Sequence, residues 1–355
     1  MSDYFSGEER LETFTATGAP MRMANVSSLA IADYQVLRNF VNDEKWDLAI
    51  SYLNAFHGQN QGMLSLLFDW CLELARFFAE ATSEQEEIKL RDQAISDFKN
   101  LVYKMRLEYT DQKSFDVIEE MSSLFKVDSF FKLNSSVLLS NSDLAKEKFE
   151  NALKTKNKIE SLALLSEYHH QALIRHDSLI TFIYSYPTTI MKTKGEKLAI
   201  EISNESILRN PSWNGMWELT RVLTPTDLAA FLAEHLRFHF SGKTREGSTQ
   251  IIEDDQKIRL IFDPCGSGGA LRRRLGKEIS NFKEKHQLGW NKCGEVNLYC
   301  SHCALNEKKS IDLFGYPKLV VEFSEDPNKP CGWTMYKNPD DIPLAVYERL
   351  GINKK

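Results

Sequence analysis

Between Ser248 and Asp263 the chain reads STQIIEDDQKIRLIFD. Apolar and polar residues alternate from Ser248 to Glu253 and again from Lys257 to Asp263, with Asp254-Asp255 between the runs. A period of two lines one face of a strand, so the segment predicts a β-hairpin. Farther along, Lys318 to Phe323 and Gly332 to Tyr336 predict two more strands. A short helix over Leu271 to Lys285 and a terminal one over Ile342 to Leu350 complete a small α+β unit. Toward the N-terminus the period changes. Ala30 to Phe40, Glu44 to Phe56, Gly62 to Ala81, Glu84 to Tyr109 and Ser114 to Phe125 repeat apolar residues at three and four, the spacing of amphipathic helices. Leu133 to Asp143, rich in serine and asparagine, reads as a connection. Then come helices over Glu160 to Ser185, stopped near Pro187, and over Thr189 to Leu208. A third is capped by Thr224 with Pro225 in its first turn, and runs on to Phe240. The expected class is therefore α+β, mostly helical, with a small sheet at the C-terminal end.

Composition draws the same boundary. From Ser241 onward lie 11 of the 17 glycines, 6 of the 10 prolines and 5 of the 6 cysteines. That tail carries a charge of +3, against −9 for the residues before it. A chain of 355 residues is expected to form two or three domains. We divide it into a helical region over 1–143, a helical middle over 144–240 and a cysteine-rich α+β domain over 241–355. The net charge of −6 argues against a dedicated nucleic-acid binder, which needs a basic surface. The most apolar stretch, Met63 to Ala81, contains Asp69, Glu73, Arg76 and Glu80, too many charges for a membrane-spanning helix. The opening residues, MSDYFSGEER, lack the basic and apolar regions of a signal peptide, which predicts a cytoplasmic protein with reduced thiols.

The cysteines of the tail carry the first chemical signal. Cys300-Ser-His-Cys303 has the spacing at which two thiolates share one tetrahedral metal. Cys265, Cys293 and Cys331 are available as partners, each followed by a glycine that lets backbone amides turn toward sulfur. The expected site is Zn2+ on Cys265, Cys300, Cys303 and Cys331, with His302 as substitute or supporting group. The alternative is a set of buried free thiols, as expected for Cys71 within its helix. A second signal is Asp263-Pro-Cys-Gly-Ser-Gly-Gly269, which runs from strand to helix ahead of Arg272, Arg273 and Arg274. Glycines there let amides converge on an anion at a helix N-terminus, so Gly266, Ser267, Gly268, Gly269 and Arg272 are candidates to hold a carboxylate. The competing reading is a tight turn around Cys265. Third, five of the eight histidines fall in two helices: His169, His170 and His176, then His235 and His239. His235 and His239 share a helical face at the spacing of a metal chelate or polar clamp. His176, beside Asp177, is the candidate general base. Trp217 and Trp333 are expected in the core.

The run from Ala172 to Glu196, with Asp263 to Gly269, Tyr299-Cys-Ser-His-Cys303 and Pro330-Cys-Gly-Trp333, resembles bacterial 2-aminothiazoline-4-carboxylate hydrolases and their relatives with cysteine-rich ends. The similarity covers roughly the last 190 residues and leaves out the N-terminal helices. It implies a cytoplasmic enzyme acting on a small heteroatom-containing acid, with His176 and Asp177 as its candidate catalytic pair. The expectation is thus a metal-containing hydrolase. Its small carboxylate-bearing substrate would lie between the middle helices and the C-terminal domain. The alternative is a zinc-stabilised adaptor whose N-terminal helices recruit a protein partner. Association into a homo-oligomer is compatible with either.

Overall fold

The computed structural model describes residues 11–13, 20–22, 28–127 and 130–354. The opening residues read above for a signal peptide lie outside this set. Twelve α-helices are found among the described residues: α1 (Asp33–Asn42), α2 (Trp46–Ala81), α3 (Glu84–Glu108), α4 (Gln112–Leu124), α5 (Ser136–Lys154), α6 (Lys158–Lys194), α7 (Glu196–Arg209), α8 (Pro211–Val222), α9 (Pro225–Leu236), α10 (Gly268–Leu275), α11 (Ser301–Phe314) and α12 (Leu344–Glu348). A two-stranded pair, β1 (Leu11–Thr13) and β2 (Pro20–Arg22), precedes them. Four antiparallel strands, β3 (Gln250–Glu253), β4 (Lys257–Phe262), β5 (Val320–Glu322) and β6 (Cys331–Tyr336), form one sheet in the order β3-β4-β6-β5. The class is α+β, dominated by helix, as its periodicity implies. No helix among the described residues is long and apolar enough to cross a membrane.

α6 is the axis of the molecule. Every residue from Ala172 to Met191 is buried, and α1, α2, α3, α4, α5 and α7 all pack on it. A helix buried on all sides lies inside a core, and its charged side chains there, Arg175 and Asp177, are paired within the protein. Pro187 lies within α6 and does not stop it. Proline costs about 3 kcal/mol in a helix interior, and burial of Phe182, Ile183, Tyr186 and Ile190 on either side outweighs that loss. The expected break between Ser185 and Thr189 is therefore absent. In the same way the two helices expected over Glu44–Phe56 and Gly62–Ala81 are one, α2. The expected connection at Leu133–Asp143 instead forms the first turns of α5, where Leu138 is buried and supplies the packing. α8 and α11 had no counterpart in the sequence reading.

The sheet follows its pattern closely. In β4, Ile258, Leu260 and Phe262 are buried while Lys257, Arg259 and Ile261 are only half-buried. Register pairs Leu260 with Trp333 and Phe262 with Cys331, and α9 covers the sheet through β4 and β6. A single hydrophobic core extends from Leu29 to Leu350 through helices and sheet. The change at residue 241 is one of secondary structure within a continuous core.

Candidate functional site

The site forms where three chain segments meet. α6 carries His176 and Asp177. α9 ends at Leu236, and His239 follows on a single 3-10 turn, so His235 and His239 do not share one continuous helix. The third segment is the loop from β4 to α10, with Ser267 immediately before the helix. This loop lies directly against the 239–240 backbone. A Cβ at Gly266 would stand 2.0 Å from the carbonyl oxygen of His239 and 2.1 Å from that of Phe240. Only glycine fits there.

The three segments share one hydrogen-bonded chain. His176 Nδ1 is 3.0 Å from Asp177 Oδ1, and its Nε2 is 2.9 Å from Ser267 Oγ. His239 Nδ1 is 2.8 Å from the same Ser267 oxygen. Ser267 is 2% exposed and His176 is 0% exposed. Asp177 is surrounded by donors. Arg245 Nη2 donates at 2.7 Å, Arg274 Nη2 at 2.6 Å and the Tyr109 hydroxyl at 2.8 Å. Burial alone would raise the Asp177 carboxyl, but the Arg245 and Arg274 guanidiniums outweigh it and hold the group well below its ordinary range. Burial pushes His176 below its ordinary value, with Asp177 opposing, and pushes His239 well below. Both rings are therefore neutral near pH 7.

The protons can then be placed from the network. Anionic Asp177 accepts the His176 Nδ1 proton, which leaves Nε2 to accept from the Ser267 hydroxyl. His239 Nδ1 then donates to the serine oxygen. This carboxylate–imidazole–hydroxyl order is that of a nucleophile with its base and orienting group.

Ser267 faces a small inner pocket of about 50 Å³, with Cys265, Cys300, Cys303 and Cys331 on its wall. The four cysteines expected to act together all line this one pocket. Cys293 is exposed and lies outside this pocket, its thiol 2.8 Å from the Lys283 carbonyl, and Cys71 is buried in the core. Among the described residues, no three His, Cys, Asp or Glu side chains stand as a metal-ion ligand set. Two of the sulfurs do receive N–H donors, from Ser324 N to Cys331 Sγ and from Asn297 Nδ2 to Cys300 Sγ, both at 3.4 Å. Burial pushes Cys300 up to about 12 and Cys331 up to about 11, so the thiols are neutral. His302 Nδ1 lies 2.6 Å from the Tyr299 carbonyl oxygen, and its Nε2 lies 3.5 Å from Cys303 Sγ.

Arg272 also lines the pocket, but its guanidinium donates to the carbonyls of Ser324 and Glu325 and stacks on Phe323. Arg273 donates to the Pro327 and Cys265 carbonyls, and Arg274 to Glu108 and Asp177. His169 bonds the Arg245 carbonyl and His170 bonds Ser114, so neither joins the serine. His235 Nδ1 lies 2.8 Å from the Phe231 carbonyl oxygen. Trp217 and Trp333 are buried, as expected.

The sequence marks Ser267 for anion binding rather than as a partner of His176, and it gives no signal for Arg245. The glycines on both sides of Ser267 are the signal that could have marked it, because they free an otherwise crowded turn. No family model, curated protein or solved structure matches this chain.

Proposed function

We propose that the protein is a hydrolase of a small carbonyl compound, with Ser267 as nucleophile, His176 as general base and Asp177 as the group that orients it. The observation that carries this reading is the placement of His176 between Asp177 and Ser267, with a hydrogen bond at each ring nitrogen. Ser267 Oγ attacks the substrate carbonyl carbon while its proton passes to His176 Nε2. The imidazolium formed is stabilised by Asp177, whose charge Arg245 and Arg274 preserve. His176 then returns the proton to the leaving group, and water releases the acyl group by the same steps. Tyr299 lines the inner pocket with its hydroxyl buried toward Ser267, and burial keeps that hydroxyl protonated.

The four pocket cysteines are the proposed Zn2+ ligands. Zinc would have to draw these neutral thiols together as thiolates in a closed structural site, and the N–H groups directed at two of the sulfurs would support that charge. No step of the hydrolysis runs through the metal. Zinc content of protein purified without added metal or chelator should be one per chain, and Cys300→Ser should lose it. Metal-free protein with an intact fold would remove the zinc from the reading.

The nucleophile is tested with a fluorophosphonate probe, followed by mass analysis of the labelled peptide. The expected adduct falls on Ser267, and Ser267→Ala and His176→Ala each lower turnover of p-nitrophenyl acetate by about 10³-fold with unchanged circular dichroism. Half or more of the activity surviving in folded Ser267→Ala protein would end the proposal.

A further inference from the structure

A second cavity, of about 320 Å³, adjoins the inner pocket and shares five lining residues with it: Leu236, His239, Tyr299, His302 and Trp333. It lies between α2, α8 and α9, and Gly62 and Gly215 on its rim are exposed. The inner pocket has room for one functional group, whereas this chamber has roughly twice the ~150 Å³ that takes up a benzene ring. Its walls are apolar: Met63, Leu66 and Leu67 from α2, Met216 from α8, and Phe231 and Leu232 from α9. No Lys, Arg, Asp or Glu lines it. The polar side chains on the wall are Ser212, His235, His239 and His302.

We infer that the chamber holds the non-reacting part of the substrate, and that this part is an uncharged, mainly apolar acyl or aryl group. This rests on the serine-hydrolase reading for what reacts, and on the chamber alone for what binds. A charged body would lose its hydration against walls that offer no counter-charge. The five shared wall residues set the chamber beside the inner pocket, so a body filling the chamber would direct its carbonyl toward Ser267.

The test uses unreactive amides, hexanamide against acetamide, titrated calorimetrically into the full chain and into Ser267→Ala. Each methylene buried is worth roughly a three- to fourfold gain in affinity, so hexanamide should bind on the order of a hundredfold tighter than acetamide to both proteins. Met216 and Leu66 are half-buried wall residues, and Met216→Trp or Leu66→Trp should remove at least tenfold of that affinity by filling the space. Equal affinity for the two amides, or hexanamide binding that both wall-filling variants leave unchanged, overturns the inference. The two readings separate cleanly. Hexanamide binding without any fluorophosphonate adduct would keep the chamber and remove the nucleophile. An adduct on Ser267 without preference for hexanamide would do the reverse.

Discussion

At the scale of single residues, the site depends on close approach. Ser267 reaches two imidazoles only because Gly266 lets its loop lie on the carbonyls of His239 and Phe240. A methyl group there has no room, since both neighbours are backbone. Gly266→Ala should therefore destabilise the protein by about 3 kcal/mol, the upper end of ordinary overpacking, and should separate Ser267 from His239. Gly215, whose Cβ would meet open space, provides the control: Gly215→Ala should leave the urea midpoint unchanged or slightly raised. Equal midpoints for the two variants would contradict the packing argument. The glycines were legible as a turn with chemical purpose. The serine's partners were not, because His176 and His239 are 91 and 28 residues distant in sequence. No local pattern reports a contact of that separation.

At the scale of elements, Asp177 joins four pieces of chain. It accepts from Tyr109 at the end of α3, from Arg245 in the loop before the sheet and from Arg274 on α10, and it sits on α6 itself. Removing its charge leaves two buried guanidiniums short of a counter-ion. Asp177→Asn should cost about 3–5 kcal/mol in urea unfolding, as expected for one partner of a buried ion pair. Glu108, which also pairs with Arg274 but is 42% exposed, should cost under about 1 kcal/mol as Glu108→Gln. A similar loss for the two variants would argue against Asp177 as the shared anchor. Helix periodicity located most of the elements here, and alternation located the sheet strands within two residues. It failed at Pro187 and at the start of α5 for one reason. Both stretches are poor helix formers by composition, and burial against α2 and α3 supplies what their propensity lacks.

At the scale of the whole molecule, the C-terminal part is joined to itself through one buried carboxyl. Glu307 on α11 accepts from Trp290 Nε1 at 2.6 Å, from Val321 N on β5 and from Arg349 near the C-terminus. Burial raises it to about 7, with Arg349 opposing. The protonated form is thus favoured in the folded state more than in the unfolded one. Folded protein loses stability as pH rises from the unfolded value near 4.3 toward 7, and the loss is complete above 7. Glu307→Gln cannot ionise. Whatever its offset at pH 4, its stability relative to the parent should climb by about 3 kcal/mol between pH 4.5 and 7.5 and then level off. A difference that stays flat across this range in thermal or urea unfolding would refute the assignment.

The sequence by itself determined the class and the materials of the site. Its two periodicities specified helices and a small sheet, since each side chain's face follows from backbone geometry alone. Its glycines, its histidines and the Cys300–Cys303 spacing named most of the side chains that meet at the inner pocket. Only the tertiary structure decided which of them touch. It placed His176 against Ser267 and committed Arg272 to carbonyls. It sent His235 to the wall of the chamber and opened an apolar space between α2, α8 and α9 beside the serine. These outcomes depend on how a continuous core closes around α6, and that closure is set by the sum of many packing contacts between segments far apart in the chain.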